Sequence, residues 1–150
     1  MSTVASDPDD IAMIDPIPPF LGTWIMDPDE SEYDQGDPPK SGTYRIEDES
    51  GLLIFSMNWI DAEGVSHSES FSGIPNGKPV RLRESGLVDE LVLYFEKPTK
   101  LVSEARRNGL TIMKATRELS DDGASMTVDQ TVHVLDEQTF VNTSIYHRAQ

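Results

Sequence analysis

The sequence predicts an all-β chain, folded as a single antiparallel up-and-down β-barrel of about eight to ten strands. Three observations carry that reading. Short runs rich in β-branched and aromatic residues recur about every 8–12 residues, with turn chemistry between them. No stretch offers a convincing amphipathic helix. The connections are too short for crossovers, so consecutive strands are antiparallel neighbours, and a meander this long keeps two bad edges unless it closes. The chain has 150 residues and no cysteine. That is the size of one domain, able to bury roughly 68–70% of its unfolded surface without staples.

The elements follow in order. Residues 1–19 carry Pro8, Pro16, Pro18 and Pro19 among acids. Proline removes donors and blocks helices, so this segment reads as an extended or disordered acidic arm, and 20–150 as the barrel domain. Strands are predicted over Leu21–Met26, Ser41–Glu47, Leu52–Ile60, Ser66–Ser72, Pro79–Glu84, Glu90–Glu96, Leu101–Arg107, Leu110–Leu119, Met126–Leu135 and Thr139–Arg148. Residues 27–40 read as a second acidic, proline-rich loop. Asn76-Gly77 and Asn108-Gly109 suit two-residue hairpins, because both residue types tolerate positive φ. Asp61-Ala62-Glu63-Gly64 and Asp121-Asp122-Gly123 suit slightly longer ones.

Charge and composition exclude several classes. The net charge is −15. Nucleic acids and anionic membranes attract basic surfaces, so neither is an expected partner. Residues 1–50 hold 13 acids and 2 bases, and residues 51–150 hold 14 acids and 10 bases. The acidic first third is a solvated surface or a docking face for a basic partner or a cation. The spacing of Asp27, Asp29, Glu30, Glu32, Asp34 and Asp37 does not match a calcium-binding loop. Without cysteine, disulfides, thiolate zinc sites and cysteine nucleophiles are excluded. Apolar runs such as Leu52–Phe55 fall far short of the ~20 residues of a membrane helix. The N-terminus has no basic and apolar leader, so a cytoplasmic location is the default expectation.

The strand faces suggest a ligand site. Alternation puts Leu53, Phe55, Met57 and Trp59 on one face. It puts Met126, Val128, Gln130, Val132 and Val134 on another, and Met113, Ala115, Arg117 and Leu119 on a third. Phe140, Asn142, Ser144, Tyr146 and Arg148 share a face of the last strand. Gln130 then lies among aliphatic neighbours and needs a partner, which is an interior polar group, a water or a ligand. If Arg117 and Tyr146 point inward, a cation and a phenol stand among apolar walls, a constellation suited to a carboxylate. The expected wall is Phe55, Met57, Trp59, Phe71, Phe95, Met113 and Met126, with Arg117, Gln130 and Tyr146 as polar anchors. Aromatic and methionine side chains suit an adaptable apolar pocket.

Phe20-Leu21-Gly22-Thr23-Trp24 resembles the Gly-x-Trp entry strand of the lipocalin and fatty-acid-binding protein superfamily. The resemblance implies that Trp24 plugs one barrel end with Arg148, from the last strand, stacked on it as a cation–π pair. Thr116-Arg117-Glu118-Leu119, Asp122-Gly123 and Ile145-Tyr146-His147-Arg148 are similar to the end of the intracellular fatty-acid- and retinoid-binding proteins. That likeness implies carboxylate binding by Arg117 and Tyr146. The family's second arginine is replaced by Ser144, and residues 27–40 are too short for its helix pair. Gly22-Thr23-Trp24, Ser31, Tyr33, Pro38-Pro39-Lys40-Ser41 and Asp122-Gly123 resemble a group of uncharacterised bacterial lipocalin-like proteins, within the calycin superfamily.

Catalytic signals are sparse. His67 and Glu69 share a strand face and form a candidate acid/base pair. His147 is similar in placement to the iron ligand of nitrobindin-type haem barrels, by that one residue. No histidines are spaced as a metal pair, and no nucleophile elbow or dinucleotide fingerprint is present. The leading expectation is a binding protein, monomer or homodimer, for a small apolar or amphipathic molecule, with no cofactor and no metal. Two alternatives stand beside it. One is a barrel enzyme of isomerase or cyclase type using His67 and Glu69. The other is an interaction protein with a filled barrel.

Overall fold

The computed structural model describes residues 15–34, 36–82, 88–133 and 139–149. Ten antiparallel strands form one sheet: β1 (Gly22–Tyr33), β2 (Ser41–Glu49), β3 (Leu52–Ile60), β4 (Ser66–Gly73), β5 (Val80–Arg81), β6 (Glu90–Lys97), β7 (Lys100–Arg107), β8 (Leu110–Leu119), β9 (Ser125–His133) and β10 (Thr139–Arg148). The order across the sheet is β4-β3-β2-β1-β10-β9-β8-β7-β6-β5. Every sequential pair is therefore adjacent except β4 and β5, and the first and last strands pair with each other. The sheet curls into a barrel wall whose seam falls between β4 and the β5–β6 pair. At that seam Gly73 faces Leu93, with room of only 3.4 Å between an added Cβ and Leu93 Cδ2.

The turns explain where the wall closes and where it does not. Asn108 and Gly109 hold φ of 52° and 81°, the left-handed pair that a two-residue hairpin between β7 and β8 requires. Asn76-Gly77 does not make the expected hairpin. The chain leaves β4 at Gly73, and the Gly77 amide donates to the Leu93 carbonyl on β6, at 2.9 Å. The turn thus carries the chain across the seam instead of pairing β4 with β5, and β5 is only two residues long.

β1 runs seven residues beyond its expected end at Met26. Pro28 and the acids around it read as loop, yet the segment pairs with β10 through a bulge between Asp27 and Glu32. A bulge tolerates proline because part of the ladder is already interrupted there. Ser31 restores what the interruption removes. Its hydroxyl donates to the Asp27 carbonyl at 2.8 Å and accepts the Ile145 amide at 3.0 Å. Among the described residues the predicted loop is therefore confined to 34 and 36–40.

Part of the predicted arm is ordered. A short 3-10 turn, Pro18–Phe20, closes one barrel end, Ile17 packs on the core beside it, and Phe20 is fully buried. Residues 1–14 of the arm, and the ends of two predicted strands at 83–84 and 134–135, lie outside the described residues. Phe20, Trp24, Ile46, Leu53, Leu101 and Met126 are all within 1% of complete burial. They come from five strands and the 3-10 turn, and together they form the apolar floor of the barrel.

A smaller cluster sits on the outer wall. Val92 and Val102 point away from the barrel yet are buried, opposite Glu104 and Tyr94 in the ladder. Above them the Glu104 carboxylate accepts from Tyr94 Oη at 2.6 Å, from Thr111 Oγ1 at 2.9 Å and from Arg106 Nη2 at 3.0 Å. Burial, and then the hydrogen bond to Glu104, push the Tyr94 hydroxyl up to about 12. A raised tyrosine stabilises the fold below its unfolded value near 10, and that contribution is lost as pH rises towards 12. Tyr94→Phe is expected to flatten the loss of stability between about pH 10 and 12. Urea midpoints across that window check it, and an unchanged slope would contradict the assignment.

Candidate functional site

Directly opposed residues of an antiparallel ladder share a face, so the register defines the barrel interior. Tyr44 opposes Met57, Ile46 opposes Phe55, and Phe55 opposes Phe71. Leu101 and Val128 flank Arg117, and Ala115 lies between Ser103 and Gln130. The Leu53–Phe55–Met57–Trp59 face and the Met113–Ala115–Arg117–Leu119 face both turn inward. Toward the floor this interior is filled. Toward the far end it opens into a cavity of about 750 Å³, lined among others by Tyr44, Met57, Glu69, Phe71, Leu82, Leu91, Ser103, Met113, Ala115, Arg117 and Gln130. That volume lies in the range of small-molecule sites.

Arg117 forms the bottom of the cavity and is only 2% exposed. Its guanidinium reaches across the barrel from β8 to β2. Nε donates to Tyr44 Oη at 2.7 Å, Nη2 to Ser103 Oγ at 3.0 Å and Nη1 to the Ala115 carbonyl at 3.3 Å. Its Cζ stands 5.0 Å from the centroid of Phe55 and 5.7 Å from that of Phe71. These two rings stack in parallel at 4.4 Å. Ring faces attract a desolvated cation, yet a buried charge normally also finds an opposite charge. Among the described residues no carboxylate lies within ion-pair distance of Arg117.

Donor counting gives the site its chemical sign. A guanidinium has five N–H donors, and three are committed. Tyr44 and Ser103 accept from Arg117, so the hydrogen of each hydroxyl remains free to donate. The cavity floor thus offers a set of donors: two guanidinium N–H groups, a phenol and an alcohol. Such a set complements an oxyanion.

The structure divides the residues named from the sequence. Phe71, Met57, Met113, Arg117 and Gln130 line the cavity. Phe55 lies beneath Arg117 in the filled part. Gln130 is not enclosed. It faces the cavity but is exposed at its mouth, and its Nε2 lies 2.9 Å from Met113 Sδ. Phe95 and Met126 belong to the floor, where Phe95 packs on Phe20 with centroids 5.8 Å apart. Trp59 lies at the rim and stacks on His67 at 5.1 Å.

Tyr146 is off the cavity lining. It packs edge-on against Tyr44 at 5.5 Å, and burial pushes its hydroxyl up. The phenol on Arg117 is Tyr44, which is not among the residues expected from the sequence, and neither is Ser103. Both alternate inward on their strands, and that alternation was the available signal.

At the opposite end Arg148 Cζ stands 4.1 Å over the Trp24 ring. Its Nη1 donates to the Leu21 carbonyl at 2.8 Å, and Trp24 Nε1 donates to the Phe20 carbonyl at 3.0 Å. Gly22, with φ of 113°, has Arg148 Nη1 only 3.5 Å from where a Cβ would stand.

The histidines stand apart from the cavity lining. His67 is exposed and bonds Asp61 Oδ2 at 2.8 Å, while Glu69 sits at the cavity mouth. The two therefore do not form an acid/base pair around an enclosed substrate. The hydrogen bond from His67 holds the Asp61 carboxyl below its ordinary value. That support is present above about pH 4 and is lost as pH falls through the lowered value. His147 points outward, against Asp27 and Glu30, so it is not placed as a haem ligand in the barrel.

The ten antiparallel strands curl into a β-barrel wall with a cavity at one end, the fold of the fatty-acid-binding proteins. Among solved structures the chain is similar to a Schistosoma mansoni fatty acid binding protein in complex with arachidonic acid. That match has a TM-score of 0.58 at 15% identity and covers 89% of this chain and 98% of the other. It is also similar to a zebrafish ileal bile acid-binding protein complexed with cholic acid, with a TM-score of 0.53 at 15% identity over 87% and 99% of the chains. The siderocalin Ex-FABP matches with a TM-score of 0.44 at 16% identity, over 87% and 74%. No family model matches the chain, and no curated protein matches it by sequence. The likeness establishes the fold.

Proposed function

We propose that this protein binds a small amphipathic molecule with an apolar body and a single acidic head, the head resting on Arg117. One observation carries the reading. A buried guanidinium with no carboxylate partner among the described residues floors an apolar cavity, and both hydroxyls bonded to it have a hydrogen to give. An unpaired buried cation costs stability in a protein that needs only to fold, and an acidic ligand would supply the missing charge. Phe71, Met57, Met113 and Leu91 would take the apolar body. The fold-level neighbours carry arachidonic acid and cholic acid, both carboxylic acids on large apolar bodies, which supports the same class here.

Native mass spectrometry of the freshly purified protein, repeated after denaturation, tests this. A co-purified acid appears as a mass excess that vanishes on unfolding. If none is retained, added long-chain monocarboxylates are expected to restore one. Failure of both would count against the reading. Tyr44→Phe removes one donor to the head and leaves Arg117 Nε without its acceptor. It is expected to weaken binding about tenfold and to cost about 1–3 kcal/mol of stability in the empty protein. Calorimetric titration and urea denaturation measure the two effects.

A further inference from the structure

A second constellation lies on the outer wall, where the first and last strands meet. His147 Nε2 is 3.0 Å from Glu30 Oε1 and 3.3 Å from Asp27 Oδ2. His147 Nδ1 is 3.2 Å from Ser125 Oγ on β9. The bulge brings these groups together. Its register passes from Asp27↔Ile145 to Glu32↔Thr143, so residues 28–31 stand opposite Ser144 alone, and the extra chain carries Glu30 beside His147. Asp27 is oriented by its own backbone. Its Oδ1 accepts the amides of Asp29 at 3.1 Å and Glu30 at 3.3 Å, which leaves Oδ2 to face the imidazole.

Hydrogen counting shows what the cluster lacks. Nε2 carries either one hydrogen or one lone pair. As N–H it is shared between the two carboxylates, and a protonated ring pairs with both. With the hydrogen on Nδ1, donated to Ser125 Oγ, Nε2 becomes a third electron-pair donor and no hydrogen stands among the three. The three ligand atoms lie within 4.8 Å of one another. Tetrahedral Zn2+ with bonds of about 2.0–2.1 Å sets donor–donor edges of roughly 3.3 Å. The 3.0 and 3.3 Å separations about the imidazole match that edge. Ser125 stands where the outer hydrogen-bond partner of a metal-bound imidazole stands.

We propose that Asp27, Glu30 and His147 form a divalent cation site of the Zn2+ class, with a fourth position left to water, clipping β1 to β10. The site is independent of the cavity, on the other face of the sheet. Because the bulge assembles it only in the folded chain, the ion stabilises the fold by mass action.

The test uses full-length, tag-free protein treated with chelator and then titrated with Zn2+ calorimetrically and with Co2+ spectroscopically. One equivalent is expected to bind with a tetrahedral Co2+ spectrum and to raise the melting temperature, and chelator is expected to reverse the rise. His147→Gln, Glu30→Gln and Asp27→Asn are each expected to weaken binding at least about tenfold, and Ser125→Ala about tenfold. Asp27→Asn keeps the Oδ1 acceptor, so its metal-free melting should stay close to the parent. His67→Gln, at the other acid-bound histidine, should bind as the parent does. Absence of saturable binding would overturn the proposal. So would undiminished binding in His147→Gln, which would place the ion on the acidic surface without the imidazole.

Discussion

Arg117→Met is expected to leave the protein at least as stable as the parent while weakening acidic amphiphiles about 100-fold or more. The two effects share one cause. In the empty protein the guanidinium is 2% exposed and, among the described residues, faces no carboxylate. Three hydrogen bonds and two aromatic faces offset part of its desolvation. Methionine keeps the volume and removes the charge, a replacement that is often neutral or stabilising by about 1–4 kcal/mol even where an ion pair is lost. In the complex the same change deletes the charged partner of the buried head, a loss of about 2–5 kcal/mol, which exceeds 100-fold over most of that range. Urea denaturation of ligand-free protein, paired with calorimetric titration, separates the two. A large loss of stability in the empty variant would mean that Arg117 is there to hold the barrel together.

Trp24→Ala is expected to have the opposite pattern. Trp24 is fully buried at the floor, with its indole N–H on the Phe20 carbonyl and Arg148 stacked over its ring. Truncating a buried tryptophan costs about 3–5 kcal/mol. In a chain of this length each kcal/mol is worth roughly 2–4 °C, so the melting temperature should fall by about 10 °C. Ligand affinity at temperatures where the variant is folded should change little, because the plug lies at the end of the barrel away from the cavity. A thermal melt and a low-temperature titration check both parts. A variant that melts like the parent would contradict the placement of the plug.

The alternation of β3, β8 and β9 makes the interior legible from the amino-acid order alone. Phe55, Met57, Met113, Ala115, Arg117 and Leu119 turn inward because a two-residue period leaves no other choice once one face is apolar. What the period does not encode is height along the barrel. Phe55 and Met57 are two residues apart on one face, yet one lies under Arg117 and the other lines the cavity. Trp59, two further on, lies at the rim beside His67. Tyr146 and Tyr44 are a comparable case. Both are inward phenols near one arginine, and only the cross-barrel reach from β8 to β2 decides which of them holds it.

β1 departs further from expectation. Pro28 and five acids between Asp27 and Asp34 read as loop by propensity. The strand persists because Ser31 replaces the lost ladder bonds and Tyr33 reaches Ser144 at 2.8 Å. Those contacts depend on β10, over 100 residues away, and no local pattern shows them. The meeting of Asp27 and Glu30 with His147 is invisible in the sequence for the same reason.

The most direct test of the account is a calorimetric titration of ligand-free protein with a long-chain monocarboxylate and with the alcohol of the same chain length. The two ligands share the apolar body and differ only in the group that reaches Arg117. Saturable one-to-one binding of the acid is expected, with the alcohol at least about tenfold weaker and that difference lost in Arg117→Met. Equal affinity for acid and alcohol, or a preference for the acid that survives Arg117→Met, would contradict it.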